Sequence, residues 1–145
     1  MGEWVRAACR RCGAGGCLVL LLVIAGCPRS SIKLYPVRGK VYFRGQPAAG
    51  AQVVFQPAGQ EAYLGPRPSG IVDEQGTFVL RTEPHGEGAP PGEYHVLISW
   101  YPPDAREQAN PRNRLPAKYC DPTQPLLKAT VKAEATELPP FQLTP

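Results

Sequence analysis

Few residues in this chain have the types and spacing that chemistry needs. The two histidines, His85 and His95, are ten residues apart, and zinc or copper would want further nitrogen or sulfur ligands beside them. Asp73 and Glu74 offer oxygens, but calcium takes six to eight, and no spaced run of aspartates accompanies the pair. The serines sit in no Gly-x-Ser-x-Gly elbow. Asp104, Glu107 and Asp121 would suit acid–base work on a glycosidic bond only if some pattern brought two of them together. The expectation is therefore no catalytic residue, no metal and no cofactor: surface histidines, a turn aspartate and solvated loop carboxylates. Two cysteines carry more. Cys27 follows an apolar run, and Cys120 is the one thiol in the later part of the chain. Cys120 fits either a buried thiol, which is the expectation, or a disulfide to another chain. A third group is aromatic and cationic: Tyr101, Arg106, Arg112, Arg114 and Tyr119 cluster in and around one long loop. Aromatic rings and guanidinium groups are enriched at binding hot spots, so these five are the candidate binding surface.

The context of Cys27 gives it meaning. Arg6, Arg10 and Arg11 make a basic start. The run from Cys17 to Ala25 is apolar but too short to span a bilayer, which takes about 20 residues; it has the length of the apolar part of a secretory signal. Ile24-Ala25-Gly26-Cys27 then resembles a bacterial lipobox. The resemblance implies that the Cys27 thiol accepts a diacylglyceryl group and that a dedicated peptidase cuts before it. Ala25 and Gly26 are small enough for the backbone to enter that peptidase closely. The expected organisation is a signal over 1–26, a lipidated tether over 27–34 and one domain over 35–145. The expected location is the bacterial cell envelope, outside the cytoplasm and anchored in the membrane by lipid. Two acyl chains of palmitate length, about 15 methylenes each, would hold the protein with on the order of 20 kcal/mol. The Cys9-x-x-Cys12 pair falls in the basic start and reads as chance composition.

Charge excludes another class of function. Removing Arg6, Arg10, Arg11 and Glu3 from 16 basic and 12 acidic side chains leaves 13 and 11. That balance, scattered along the chain, gives no nucleic-acid footprint. All 18 prolines lie at or after Pro28, which argues against long helices.

The elements that must position these residues read as strands. Alternation puts Val37, Gly39, Val41 and Phe43 on one face of 35–44, with Arg38, Lys40, Tyr42 and Arg44 on the other. Gly45-Gln46-Pro47 reads as the turn into 51–56, where Ala51, Val53 and Phe55 point inward and Gln52 and Gln56 outward. Residues 69–73 and 77–82 read as a hairpin closed at Gly76. Residues 92–100 carry Tyr94, Val96, Ile98 and Trp100 on one face. Residues 126–132 alternate again, and 138–143 read as an edge strand because Pro139 and Pro140 bar it from a sheet centre. Seven short strands predict an all-β sandwich.

Three runs have a familiar form: Val37-Arg38-Gly39-Lys40-Val41 with Gly45-Gln46-Pro47 and Val53-Val54-Phe55; Asp73-Glu74-Gln75-Gly76-Thr77-Phe78; and Pro91-Gly92-Glu93-Tyr94. Together they resemble the carboxypeptidase-regulatory-like, transthyretin-like β-sandwich domain, well over 35–100 and more loosely beyond. The resemblance implies a seven-stranded transthyretin-like or immunoglobulin-like sandwich and brings no catalytic residues with it. An enzymatic branch of transthyretin-like proteins acts on 5-hydroxyisourate and ends in Tyr-Arg-Gly-Ser; the ending Phe141-Gln142-Leu143-Thr144-Pro145 departs from it completely. The function expected is a non-enzymatic, membrane-anchored module that is structural or binds an envelope protein. The alternative is a module for cell-wall or extracellular glycan. Protein binding predicts an apolar patch or a free sheet edge; sugar binding predicts exposed aromatics such as Tyr63 or Tyr101 beside carboxylates or amides.

Overall fold

The computed structural model describes residues 32–59, 65–101 and 109–145. In chain order the strands are β1 (Val37–Phe43), β2 (Gln46–Pro47), β3 (Gln52–Pro57), β4 (Ser69–Ile71), β5 (Thr77–Val79) and β6 (Arg81–Thr82). They continue with β7 (Gly86–Glu87), β8 (Gly92–Ser99), β9 (Leu127–Val131), β10 (Thr136–Glu137) and β11 (Phe141–Leu143). One 3₁₀ turn lies at Ala117–Tyr119, and no α-helix occurs among the described residues. The strands form two packed sheets. In the first, β1 is flanked by β10 and β11 running parallel to it and by β2 and β5 running antiparallel. The second has the order β7-β6-β4-β3-β8-β9, antiparallel throughout.

The period-two patterns decide what lies between the sheets. Val37, Gly39 and Val41 of β1 are buried, and Arg38 and Lys40 are exposed. Val53 and Phe55 of β3 and Tyr94, Val96 and Ile98 of β8 meet them from the second sheet. The Phe55 ring lies 5.6 Å from that of Tyr94 and 6.4 Å from that of Phe78. Phe78 fits because Gly39 has no Cβ; one built there would stand 2.7 Å from the Phe78 ring. Gln56 belongs to the outer face, as its position in the alternation predicts, yet it is buried.

The seven expected segments all contain strand and hold eight of the eleven; β2 forms in the stretch read as a turn, and β7 and β10 also lie outside the expected segments. The first turn is tighter than the sequence suggests. Arg44 and Gly45 both have positive φ, which closes a two-residue hairpin and lets Gln46 and Pro47 pair back on β1. The 69–82 hairpin is closed at its two ends and parted in the middle. At the tip the Asp73 N–H donates to the Thr77 carbonyl, and the Asp73 carboxylate accepts N–H bonds from Gln75 and Thr77 at 3.0 and 2.8 Å, the turn role expected of it. At the base Ser69 pairs with Arg81. Between them β5 leaves its hairpin partner for β1 in the other sheet, and the Leu80 N–H donates to the Val37 carbonyl. The last strand is split by Pro139-Pro140. Thr136 and Glu137 align with Val37 and Arg38, whereas Phe141–Leu143 align with Val41–Phe43, so one extra residue is accommodated between them. That bulge keeps Leu138 and Leu143 both in the core.

Tyr94 gives a test of this packing. Its ring is buried, and its hydroxyl donates to the Pro90 carbonyl at 2.8 Å. Burial raises its pKa above the ordinary tyrosine value. A raised folded-state pKa means that the folded protein holds the proton longer than the unfolded chain. The resulting stability is complete below about pH 10 and is lost as pH rises through the folded-state value. Tyr94→Phe is expected to cost about 1 kcal/mol at neutral pH from the lost hydrogen bond and to flatten the alkaline fall. Urea titrations at neutral pH and above pH 10 measure both.

Candidate partner-binding surface

Two features converge at one end of the sandwich. The first is an aromatic closure. Phe43 ends the inward row of β1, and Trp100 follows the inward row of β8. Their rings meet edge to face with centroids 6.4 Å apart and 82° between planes. Arg44 lies over Phe43 and Arg114 over Trp100, each guanidinium carbon 5.3 Å from the ring centre. Both arginines are exposed, and both rings are half-buried. Cation–π contact and stacking hold the guanidinium planes in place while leaving their N–H groups for a ligand. Asn113 fixes the neighbouring loop: its Oδ1 accepts the Trp100 N–H at 2.9 Å and the Leu115 N–H at 3.0 Å. The Arg114 N–H donates to the Trp100 carbonyl at 2.8 Å.

The second feature is an apolar band on the outer face of the six-stranded sheet. Val54 stands directly across from Leu97, and Ile71 is diagonal to Val54. Leu126 precedes β9 in the register that places Leu127 opposite Val96, so it lies in line with Leu97. Ile71 is 61% exposed and Leu126 58%, and the two residues between them are half-buried. On a solvent-facing sheet surface those positions are ordinarily polar. The row Gln52–Ser99 is the last before Trp100, so the band lies in the half of the sheet nearest the aromatic closure.

The five residues picked from the sequence separate. Tyr101 is 44% exposed, and Arg112 and Arg114 are exposed. Tyr119 is only 4% exposed and packs in the core, so its ring is not offered to a partner. Its hydroxyl accepts the Thr144 N–H at 2.9 Å and lies 3.2 Å from the Thr144 carbonyl. Burial pushes that hydroxyl up, but the hydrogen bonds to Thr144 and the Lys118 ammonium outweigh it and leave its pKa below the usual tyrosine value. Arg106 lies outside the described residues, as do Ile24, Ala25, Gly26, Cys27 and Tyr63. Cys120 is half-exposed rather than buried, since the 3₁₀ turn holds it at the surface. Its Sγ is 3.4 Å from the Ala117 carbonyl and 3.6 Å from Asn113 Nδ2. His85 is exposed, and His95 lies on the outer face between Gln56 and Lys128. Asp121 is held below the usual carboxylate range by hydrogen bonds from Thr123. Among the described residues no three histidine, cysteine or acidic side chains gather into a set that could hold a metal.

Phe43, Trp100 and Asn113 were not singled out by sequence reasoning. Each aromatic was visible as the last member of an inward row, but nothing local says that the two rows end at the same place. Asn113 gives no pattern at all, because its partners depend on where the loop returns.

A cleft of about 560 Å³ opens on the side where β9 ends one sheet and β10 and β11 end the other. Lys128 and Lys132 along one rim and Pro139-Pro140 along the other guard these edges against a further strand. Comparison of the chain with protein-family models, with curated proteins and with solved structures finds no match.

Proposed function

We propose that the protein is a non-enzymatic envelope lipoprotein, anchored by lipid on Cys27, whose β-sandwich binds another envelope protein through its outer face. The observation that carries this reading is the apolar band Ile71–Val54–Leu97–Leu126. Exposed apolar surface of this kind is stabilised by covering it, and a protein surface covers a flat sheet face better than a sugar chain does. The adjacent Arg44, Arg114 and Tyr101 supply the polar and aromatic rim that such interfaces use. The motifs around Gly39, Asp73-Glu74-Gln75-Gly76 and Pro91-Gly92-Glu93-Tyr94 support reading the sandwich as carboxypeptidase-regulatory-like or immunoglobulin-like. The Ile24–Cys27 lipobox supports the anchor and the location outside the cytoplasm.

The test is site-specific photo-cross-linking in intact cells with a photoreactive residue at position 126. One dominant protein adduct is expected, and it should disappear when Ile71→Asp places a charge at the far end of the band. Adducts spread at background level, or a dominant adduct indifferent to Ile71→Asp, would overturn the assignment of this face.

A further inference from the structure

We propose a second binding surface on the opposite sheet: the outer face of β1, which takes an acidic polysaccharide. The site is separate from the apolar band, so it stands whether or not a protein partner covers that band. Alternate residues of a strand project to one face about 6.6 Å apart, and on β1 these are Arg38, Lys40 and Tyr42. β1 is the middle strand of its sheet, so this row runs along the centre of an open face and not along an edge. Arg38 and Lys40 are exposed, and Tyr42 is half-buried. Among the described residues neither of the two cations has a carboxylate within ion-pair distance; the ion pairs present are Arg81–Glu83 and Lys132–Glu134.

The surroundings select the ligand. Across from Lys40 stands Thr77, across from Arg38 stand Val79 and Glu137, and Tyr42 lies between Pro47 and Gln142. A hollow of about 150 Å³ is rimmed by Arg38, Lys40, Thr77, Glu137 and Pro140, where the Pro139-Pro140 bulge breaks the pairing of the last strand with β1. Two cations recognise anionic groups. The Glu137 carboxylate only accepts hydrogen bonds, so its ligand must bring donors, and Thr77 can both give and take. A polymer combining carboxylates with many hydroxyls satisfies all four side chains. A DNA backbone offers no hydrogen-bond donor for Glu137. The chemistry therefore favours a uronate-bearing polysaccharide.

The experiment measures binding of the full-length protein, kept in detergent, to immobilised polygalacturonate and hyaluronate, with neutral dextran and single-stranded poly-dT as comparisons. Retention on an acidic glycan is expected, weakening as salt rises. The Arg38→Gln/Lys40→Gln double variant should bind roughly tenfold or more weakly, as for the loss of two charge-assisted contacts. Arg112→Gln, an exposed charge elsewhere, should leave binding unchanged. A matched melting temperature shows that the double variant is folded, as expected for two exposed side chains. No retention on either acidic glycan would overturn the proposal, as would equal binding to dextran. Tighter binding to poly-dT would replace the glycan with a nucleic acid. A double variant that binds as well as the parent, or an equal loss in Arg112→Gln, would show that only bulk charge is being read.

Discussion

Replacing Cys27 by alanine is expected to yield a protein that carries no lipid and keeps residues 1–26. Both effects follow from one missing sulfur. Under the proposed lipobox the thiol would be the nucleophile that accepts the diacylglyceryl group, and the implied peptidase would act after that attachment. In the parent protein as proposed, two acyl chains would hold the molecule with on the order of 20 kcal/mol. In the variant only the apolar run Cys17–Ala25 remains, too short to cross a bilayer. Alkaline washing should therefore strip the variant from membranes and leave the parent in place. Intact-mass measurement of the N-terminal peptide gives a second reading: a lipidated cysteine in the parent, an unmodified and uncut N-terminus in the variant. An unlipidated parent beginning near residue 26 would sink the lipobox reading in favour of an ordinary signal.

Phe55→Ala is expected to destabilise the sandwich by about 3–5 kcal/mol, the usual range for a fully buried phenylalanine. Phe55 is completely shielded and touches the rings of both Tyr94 and Phe78, so it joins the two sheets at their centre. The neighbours belong to β-strands fixed by their own hydrogen bonds and cannot collapse far into the space left. For a domain of this size the midpoint of thermal unfolding should fall by about 10–20 °C. Val54→Ala, next along β3 but on the outer face, should cost less than about 1 kcal/mol, because it is half-buried and leaves no closed cavity. Urea unfolding of the two variants side by side makes the comparison. A loss under about 1 kcal/mol for Phe55→Ala would mean that the core lies elsewhere.

Where the signal in the sequence is local, it locates structure well. The alternation of β1 and β8 gives the buried face residue by residue, and Asp73-Glu74-Gln75-Gly76 identifies its turn down to the carboxylate that closes it. What is not local stays hidden. Thr77–Thr82 reads as one strand, yet it serves two sheets, because whether Leu80 donates to a hairpin partner or to Val37 depends on a residue 43 positions away. The parallel pairing of β10 and β11 with β1 links segments about 100 residues apart, and no short pattern announces it. The candidate surface divides in the same way. Tyr101 and Arg114 stand out by type. The apolar band combines residues from four segments, each of which alone is an unremarkable exposed or half-exposed side chain.

The parallel alignment of the first and last strands also has a mechanical side. A pull between the Tyr35 end of β1 and the Leu143 end of β11 acts along both strands in opposite senses. It loads the pairs Val37–Thr136, Arg38–Glu137, Val41–Phe141, Tyr42–Gln142 and Phe43–Leu143 together in shear. An antiparallel pair pulled from the same ends of the chain would peel open one bond at a time. A module tethered through its N-terminus, as proposed, and pulled at its last strand would meet tension with these bonds sharing the load.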